Sequence, residues 1–391
     1  MALSARNKEV MSGIQLVEFE PAQNRRERKR FIELAWKINA KDPVWVPPLR
    51  LSVEDALDTR KNPFYRHASI RCWNAYAGDE HLGRIAAIVD YRHNEFHAEK
   101  TGFWGFFECE NDEAVAGALF GAAEGWLKNQ GMKLARGPAN PSLNQECGLV
   151  VNAFNRAPYV MMPHNPAYYV ALVEMIGYRK AKDLLAFDMT PHNFDPRVLR
   201  IAEKVKARGK IEIRPINMKR FPEEVQLIRE IYNSAWEKNW GFVPMDDAEF
   251  KHLAKSLKDV LWPEFCQLGF VNGKAVGFSL SLPDINQVLK TIPSGKLLPF
   301  GIFKLLSGLK PKSKIIDRVR VITLGVVPEW RASGLASVFY AEACRQARAM
   351  NLHGPSEMSW ILEDNKDMIS AIEAFAGRPA YKTVRLYDKS L

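Results

Sequence analysis

Apolar positions along this chain follow two periods, and the order of those periods is run through twice. Ile14-Gln15-Leu16-Val17 alternates with the period of two of a half-buried strand, and Ile211-Glu212-Ile213-Arg214 opens the second half in the same way. Each is followed by a charged segment of helical period: Phe31, Leu34, Ala35 and Ile38 share one face in the first, Val225, Ile228, Tyr232 and Ala235 in the second. A hairpin pattern comes next in both halves. Gly78-Asp79 separates strands over 71–76 and 82–89, and Gly273-Lys274 separates strands over 265–271 and 275–282. The rest of each half reads as a long strand, a helix, a strand, a helix and a final strand.

This repetition extends to single residues. Ala35-Trp36 aligns with Ala235-Trp236, Trp45-Val46-Pro47 with Phe242-Val243-Pro244, and Gly83 and Asp90 with Gly277 and Asp284. Near the ends of the halves, Asn165, Ala171, Gly177, Lys182 and Asp188 match Asn365, Ala371, Gly377, Lys382 and Asp388 in unbroken order. An ordered series of this kind marks an internal duplication. The fold class it predicts is α+β: two tandem domains, each a mixed, mostly antiparallel sheet flanked by helices. The expected domains are 14–190 and 209–391, joined by a connecting segment at 191–208 that starts in the turn-rich Thr190-Pro191-His192-Asn193-Phe194-Asp195-Pro196.

Composition narrows the setting. With 391 residues and 47% hydrophobic content the chain has material for two cores. Its formal charge of +10 is spread through the chain and favours anionic partners without choosing among them. Five cysteines, odd in number and without a CxxC pair, indicate a reducing compartment. The first thirteen residues carry Arg6, Lys8 and Glu9 in place of the apolar run of a signal peptide, and Met11 is an alternative start to Met1. The expected location is cytoplasmic, with peripheral attachment to the inner face of the membrane as an extension of that expectation.

Candidate chemistry concentrates in the second half. A strand over Val319–Val326 runs into Pro328-Glu329-Trp330-Arg331-Ala332-Ser333-Gly334-Leu335-Ala336, and a helix follows. The first turn of a helix offers unpaired N–H groups and the positive end of a dipole to a phosphate. Gly334 allows close approach and Arg331 adds charge. At the same place the first half carries Glu108-Cys109-Glu110-Asn111-Asp112-Glu113, whose carboxylates repel a pyrophosphate.

Arg331-x-x-Gly334-x-Ala336 after Leu324-Gly325-Val326-x-Pro328 resembles the acyl-CoA signature of the GNAT acyltransferase superfamily. That resemblance implies acyl-CoA or acetyl-CoA as co-substrate, held by Leu324, Gly325, Val326, Arg331, Ala332, Ser333, Gly334, Leu335, Ala336 and Asn365. It places the donor for the developing oxyanion at Leu324, Gly325 or Val326. The superfamily often carries a tyrosine acid two turns after the position of Asn365; here Ala371-Ile372-Glu373 stands there, and Tyr381 is the substitute candidate. The first domain is then a copy without a CoA loop that shapes the substrate site.

In the first half, Arg136 to Gly148 and Pro158 to Tyr169 interleave polar residues with Pro, Met and Tyr, as suits a pocket wall. Glu146 is the candidate substrate-facing carboxylate, and Asn144, Tyr159, His164 and Tyr168 are candidate substrate contacts, with an ordinary structural role as the competing reading for Glu146 and His164. These segments, with Asn62-Pro63-Phe64-Tyr65 and Arg92-His93-Asn94-Glu95-Phe96-His97, resemble a bacterial group of GNAT-like proteins that includes ceramide synthases. The resemblance implies an amine acceptor, with a long-chain lipid amine such as a sphingoid base as its sharpest form.

No metal is expected, because His93-x-x-x-His97 lacks a third ligand. No nucleic acid is expected either, since Arg25-Arg26-Glu27-Arg28-Lys29-Arg30 reads as a solvated helix face with no nucleic-acid module beside it. The insertion at 285–314 is apolar from Leu297 to Leu306 and framed by Lys290, Lys296, Lys304, Lys310, Lys312 and Lys314, the pattern of a segment lying on an anionic bilayer or covering a core. Three functions remain open at this point: acyl transfer to a lipid amine, acetyl transfer to a small soluble amine, and non-catalytic CoA binding. Acyl length, acceptor and oligomeric state are left undetermined.

Overall fold

The computed structural model describes residues 13–190, 196–236, 239–311 and 313–391. The alternative start at Met11, most of the expected linker turn and Lys312 lie outside the described residues. The chain divides into two compact units: residues up to Asp183 together with Thr383–Leu391, and Leu184–Lys382.

In the first unit β1 (Ile14–Phe19), β2 (Ala68–Ala77), β3 (Glu80–Asp90), β4 (Thr101–Cys109) and β5 (Leu134–Gly137) lie side by side in chain order. All neighbours are antiparallel except β4 and β5, which are parallel. Around them run α1 (Arg25–Ile38), α2 (Arg50–Ala56), α3 (Tyr91–His97) and α4 (Glu113–Asn129). Two short strands, β6 (Ala139–Asn140) and β7 (Glu146–Cys147), then pair with each other, and β8 (Leu149–Val150), α5 (Tyr168–Met175) and β9 (Arg179–Met189) follow. Alternation along β2 to β4 sends Trp73, Ile85, Ala87 and Trp104 to one face, where α4 seals them with Val115, Leu119 and Phe120. The other face packs Phe31 and Ile32 of α1 on Cys72, Ala86 and Ile88.

The second unit repeats the plan with α6 (Pro196–Arg208), β10 (Ile211–Pro215), α7 (Phe221–Trp236), α8 (Asp247–Lys258), β11 (Cys266–Val271), β12 (Lys274–Pro283), α9 (Asn286–Leu289), α10 (Gly301–Gly308), β13 (Val319–Val326), α11 (Leu335–Ala349), β14 (Ser356–Leu362) and α12 (Lys366–Ala376). Its sheet order is β10-β11-β12-β13-β14, again antiparallel except for the parallel pair β13–β14. The two halves of the sequence exchange their closing strands. β15 (Lys382–Ser390), at the end of the chain, lies antiparallel beside β5 in the first unit, and β9, from the first half, lies antiparallel beside β14 in the second.

Candidate active site

In the second unit the parallel strands meet at two rungs, Arg320 with Glu357 and Val321 with Met358, and beyond these β14 keeps its partner β9 while β13 keeps β12. The register between β12 and β13 shifts where Leu280 faces Thr323 and Ser281 faces Val321, so Ile322 is an extra residue in the strand. A bulge bends its strand and re-aims its amides. β13 and β14 therefore part from Ile322 onward, and the residues expected to contact CoA, Leu324, Gly325 and Val326, line β13 past that point. Gly325 lies beneath the indole of Trp236, which an added Cβ would approach to 2.4 Å.

From Val326 the chain makes a 3-10 turn over Pro328–Ser333 and enters α11 through Gly334, whose φ is 81°. That left-handed conformation is open to glycine at no steric cost, and a Cβ there would stand 3.3 Å from Val205. Arg331 and Ala332 are exposed, and the Arg331 Nη2 donates to the carbonyl of Ala235 at 2.9 Å. The Ser333 hydroxyl donates to the carbonyl of Trp330 and accepts from the Leu335 amide at 3.2 Å, so that amide is already engaged. The Leu335 side chain is fully buried beneath Gly277, and Ala336 is half-buried in the first turn. An anion here would meet the remaining first-turn amides and the Arg331 cation. Asn365 accepts from the Met368 amide at 3.2 Å, as the cap of α12.

At the rung where the strands separate lies a buried polar cluster that sequence patterning does not mark. Arg320 and Glu357 are almost fully buried, 1% and 0% exposed. Arg320 Nε donates to Ser359 Oγ at 2.8 Å, Ser359 Oγ donates to Glu357 Oε1 at 2.7 Å, and the hydroxyl of Tyr381 donates to Glu357 Oε2. The guanidinium also covers the Trp360 ring at 5.3 Å. On the same two strands Thr323 Oγ1 and Trp360 Nε1 are buried with no hydrogen-bond partner among the described residues. Tyr381 is half-buried and so connects this interior to the surface of its unit.

The counterpart place in the first unit is filled. β4 and β5 pair from Thr101 with Leu134 to Phe103 with Arg136, and β4 carries a bulge where Arg84 faces Glu108 and Ala86 faces Gly105. Beyond Gly137 the chain turns into the gap. Asn140 Oδ1 accepts from the Phe106 amide at 2.6 Å, and Asn140 Nδ2 donates to Glu146 Oε1 at 3.1 Å. A side chain at position 105 would place its Cβ 1.8 Å from the Ala139 carbonyl oxygen, so glycine is what admits this segment. Asp112 caps α4 through the amides of Ala114 and Val115 at 2.8 and 3.1 Å. Glu108, read in sequence with the carboxylates at that helix start, instead turns inward, where Tyr169 donates to it at 2.7 Å and Arg84 lies at 3.5 Å. Burial lifts its carboxyl above the ordinary value, against the pull of Arg84 and Tyr169.

Of the other expected substrate contacts, Tyr159 is buried at 2% exposure and Asn144 is half-buried in the turn before β7. His164 Nε2 bonds Asp42 Oδ2 at 2.6 Å, and Tyr168 donates to the carbonyl of Cys109 at 2.7 Å. Burial acts to raise the Asp42 carboxyl, but the bonds from His164 and the Val44 amide outweigh it and hold it low. Glu146, Asn144, Tyr159, His164 and Tyr168 thus belong to the first unit, while Tyr381, Asn365 and the Arg331–Ala336 turn belong to the second. His93 and His97 do meet, with ring centroids 4.5 Å apart and planes tilted by 45°, and burial followed by His97 lowers His93 to about 4.

Two mixed sheets, each with one parallel pair that parts at a bulge, define the tandem GNAT fold. A tandem GNAT protein from the clavulanic acid biosynthesis pathway superposes with a TM-score of 0.57 at 11% identity, covering 96% of this chain and 98% of that one. A GCN5-related N-acetyltransferase from Sphaerobacter thermophilus gives 0.51 at 13% identity, covering 96% and 95%. No family model matches the sequence. Full-length relatives do: the bacterial ceramide synthase of Caulobacter vibrioides (strain NA1000 / CB15N) is 38% identical over 375 residues, 95% of this chain and 97% of its own. Protein YghO of Escherichia coli (strain K12) is 37% identical over 373 residues, 94% of each chain. This chain belongs to the family of that ceramide synthase and YghO.

Proposed function

We propose that the chain is an acyl-CoA-dependent N-acyltransferase whose acceptor is a long-chain lipid amine presented at a membrane surface. The observation that carries the transferase reading is the parting of β13 from β14 at the Ile322 bulge, directly upstream of the Gly334 turn. Thioester transfer to an amine needs an anchored diphosphate, a donor aimed at the carbonyl oxygen and an acceptor for the ammonium proton. The first-turn amides of α11 and Arg331 supply the first. For the second, the two sheets are mutually informative: strand register equates Trp104 with Val321 and Glu108 with Gly325, and so Phe106 with Thr323. In the first unit that bulge amide binds a carbonyl oxygen, that of Asn140, and Thr323 is the corresponding donor, just ahead of Leu324, Gly325 and Val326. The first unit, with its gap filled and its helix start capped by Asp112, takes no acyl-CoA.

The lipid part rests on the insertion. Leu298, Phe300, Phe303 and Leu306 are 78%, 72%, 67% and 57% exposed, while Leu305 of the same helix is buried against its own unit. Lys296, Lys304, Lys310 and Lys314 are exposed around them. Apolar side chains raised above a basic rim match the interfacial layer of an anionic bilayer. The homologous ceramide synthase carries a lipid product in its name, which agrees with this acceptor class. Among the described residues no helix is long and apolar enough to cross a membrane.

The test is thiol release from acetyl-CoA and palmitoyl-CoA against a panel of soluble and long-chain amines, with sphinganine included. Product from palmitoyl-CoA and sphinganine alone supports the lipid reading; product from acetyl-CoA and a soluble amine replaces it with small-molecule acetylation. Tight CoA binding without turnover of any amine leaves a non-catalytic CoA protein. In parallel, combined Phe300→Ser and Phe303→Ser should weaken flotation with anionic vesicles at least about 100-fold, since each buried phenyl contributes roughly 1.5–3 kcal/mol. Unchanged flotation would remove the membrane contact from the proposal.

A further inference from the structure

Resting on the acyltransferase reading, we infer that Glu357 is the proton acceptor of the second unit and is reached through the hydroxyl of Tyr381. Glu357 sits at the last common rungs of β13 and β14, where the strands begin to part. It is 0% exposed and accepts from two hydroxyls, those of Tyr381 and Ser359. Arg320 lies 3.6 Å away and sets a cation beside the carboxyl. The other charged groups facing the cluster are Asp188, opposite Glu357 on β9 and held by Arg378 at 3.2 Å, and Lys382, 5.6 Å from the Tyr381 ring centre. Burying a carboxyl, a guanidinium and two hydroxyls together in so closed a setting is costly unless each finds a partner.

The duplicated fold shows that the position does not require a carboxylate. The equivalent rung of the first unit pairs Phe103 with Arg136, and Arg136 is bound to Asp388 at 2.9 Å. At this rung, then, a buried glutamate joined to a tyrosine stands in the unit that carries the Gly334 turn, where the other unit has an arginine. The hydroxyl donates inward, so its oxygen is the end that accepts from the acceptor's ammonium. One N–H proton passes to Tyr381 Oη as the tyrosine proton passes to Glu357 Oε2, leaving a neutral amine, a neutral phenol and a protonated carboxyl. The amine lone pair forms the C–N bond, the C–S bond breaks, and the second nitrogen proton leaves with the thiolate as free CoA. Glu357 then returns its proton to solvent by the same hydroxyl. Glu357 acts through Tyr381 and is a positioning and proton-holding residue.

The experiment compares the full chain with E357Q, Y381F and the double variant, using palmitoyl-CoA and sphinganine over a range of pH. Each single variant should lower kcat about 100-fold near neutrality and leave KM for palmitoyl-CoA unchanged. Both deficits should shrink as pH rises toward the pKa of the amine itself, and the double variant should be no worse than either single. Deficits that are constant with pH, or that multiply in the double variant, overturn the inference and leave the cluster as a structural ion network. Thermal melting identifies misfolding; if E357Q does not fold, Y381F, which removes one hydroxyl from a half-buried side chain, carries the same pH test. Wild type that turns over no amine sinks the transferase reading and this inference together, whereas active wild type with flat variants sinks this inference alone.

Discussion

Gly334 carries the chain from the turn after β13 into α11. Its φ of 81° and the 3.3 Å separation of a Cβ from Val205 make two separate demands, one conformational and one steric. Gly334→Ala should cost about 1 kcal/mol of stability from the left-handed conformation. Because the strain tilts the first-turn amides, CoA affinity should fall about tenfold, which calorimetric titration with CoA would measure. Undiminished affinity in a folded variant would mean the diphosphate is held elsewhere. This glycine was legible because a helix start with Arg331 three positions earlier is a local pattern. Glu357, Ser359 and Arg320 were not, because their convergence depends on register between strands separated by a whole helix. Tyr381 was named from sequence as an acid, and its bond to Glu357 points to a base relay that no spacing displays.

On the scale of elements, the duplicated bulged strand is the informative unit. β4 and β13 have equivalent registers, and in β4 the bulge amide is closed by a side chain of its own unit, Asn140 on Phe106. Glu146 reads in sequence as a substrate-facing carboxylate or a satisfied loop carboxylate, and the structure gives it Asn140 as a partner at 3.1 Å. What the sequence did not disclose is that Gly105 admits the crossing segment, since glycine in a strand also reads as a bulge or a weak point. Asn140→Ala leaves the Phe106 amide without its acceptor. It should therefore destabilise the protein by about 1–3 kcal/mol in urea denaturation. Calorimetry should still find a single palmitoyl-CoA bound per chain; a second equivalent in this variant would show that the first unit's gap is a latent thioester site and not a filled one.

At the scale of the whole molecule, the exchange of closing strands is the feature least visible in the sequence, and the repeat explains why. β9 and β15 end in the same ordered series, from Lys182 and Asp188 to Lys382 and Asp388, so pattern alone allows either strand to close either sheet. Side-chain partners decide for β15: Arg136 takes Asp388 through Nε and Nη2, both at 2.9 Å, Glu124 takes Lys389 at 2.8 Å, and Asp183 takes Arg385 at 2.8 Å. Tyr387 on the same strand is fully buried in the first core. The end of the chain is thus needed to complete the unit formed by its beginning. Removing Asp388 takes away the two-point partner of the nearly buried Arg136 and leaves it Glu99 at 3.5 Å, at a cost of about 2 kcal/mol. Asp388→Ala should therefore speed amide exchange across β4, β5 and β15 of the first unit. The amides of β11, β12 and β13 should exchange as in the wild type, and palmitoyl-CoA should still bind to the second unit. Equal acceleration in both units, read by mass spectrometry on peptides from each sheet, would mean that the two fold as one cooperative body and that β15 stabilises the molecule as a whole.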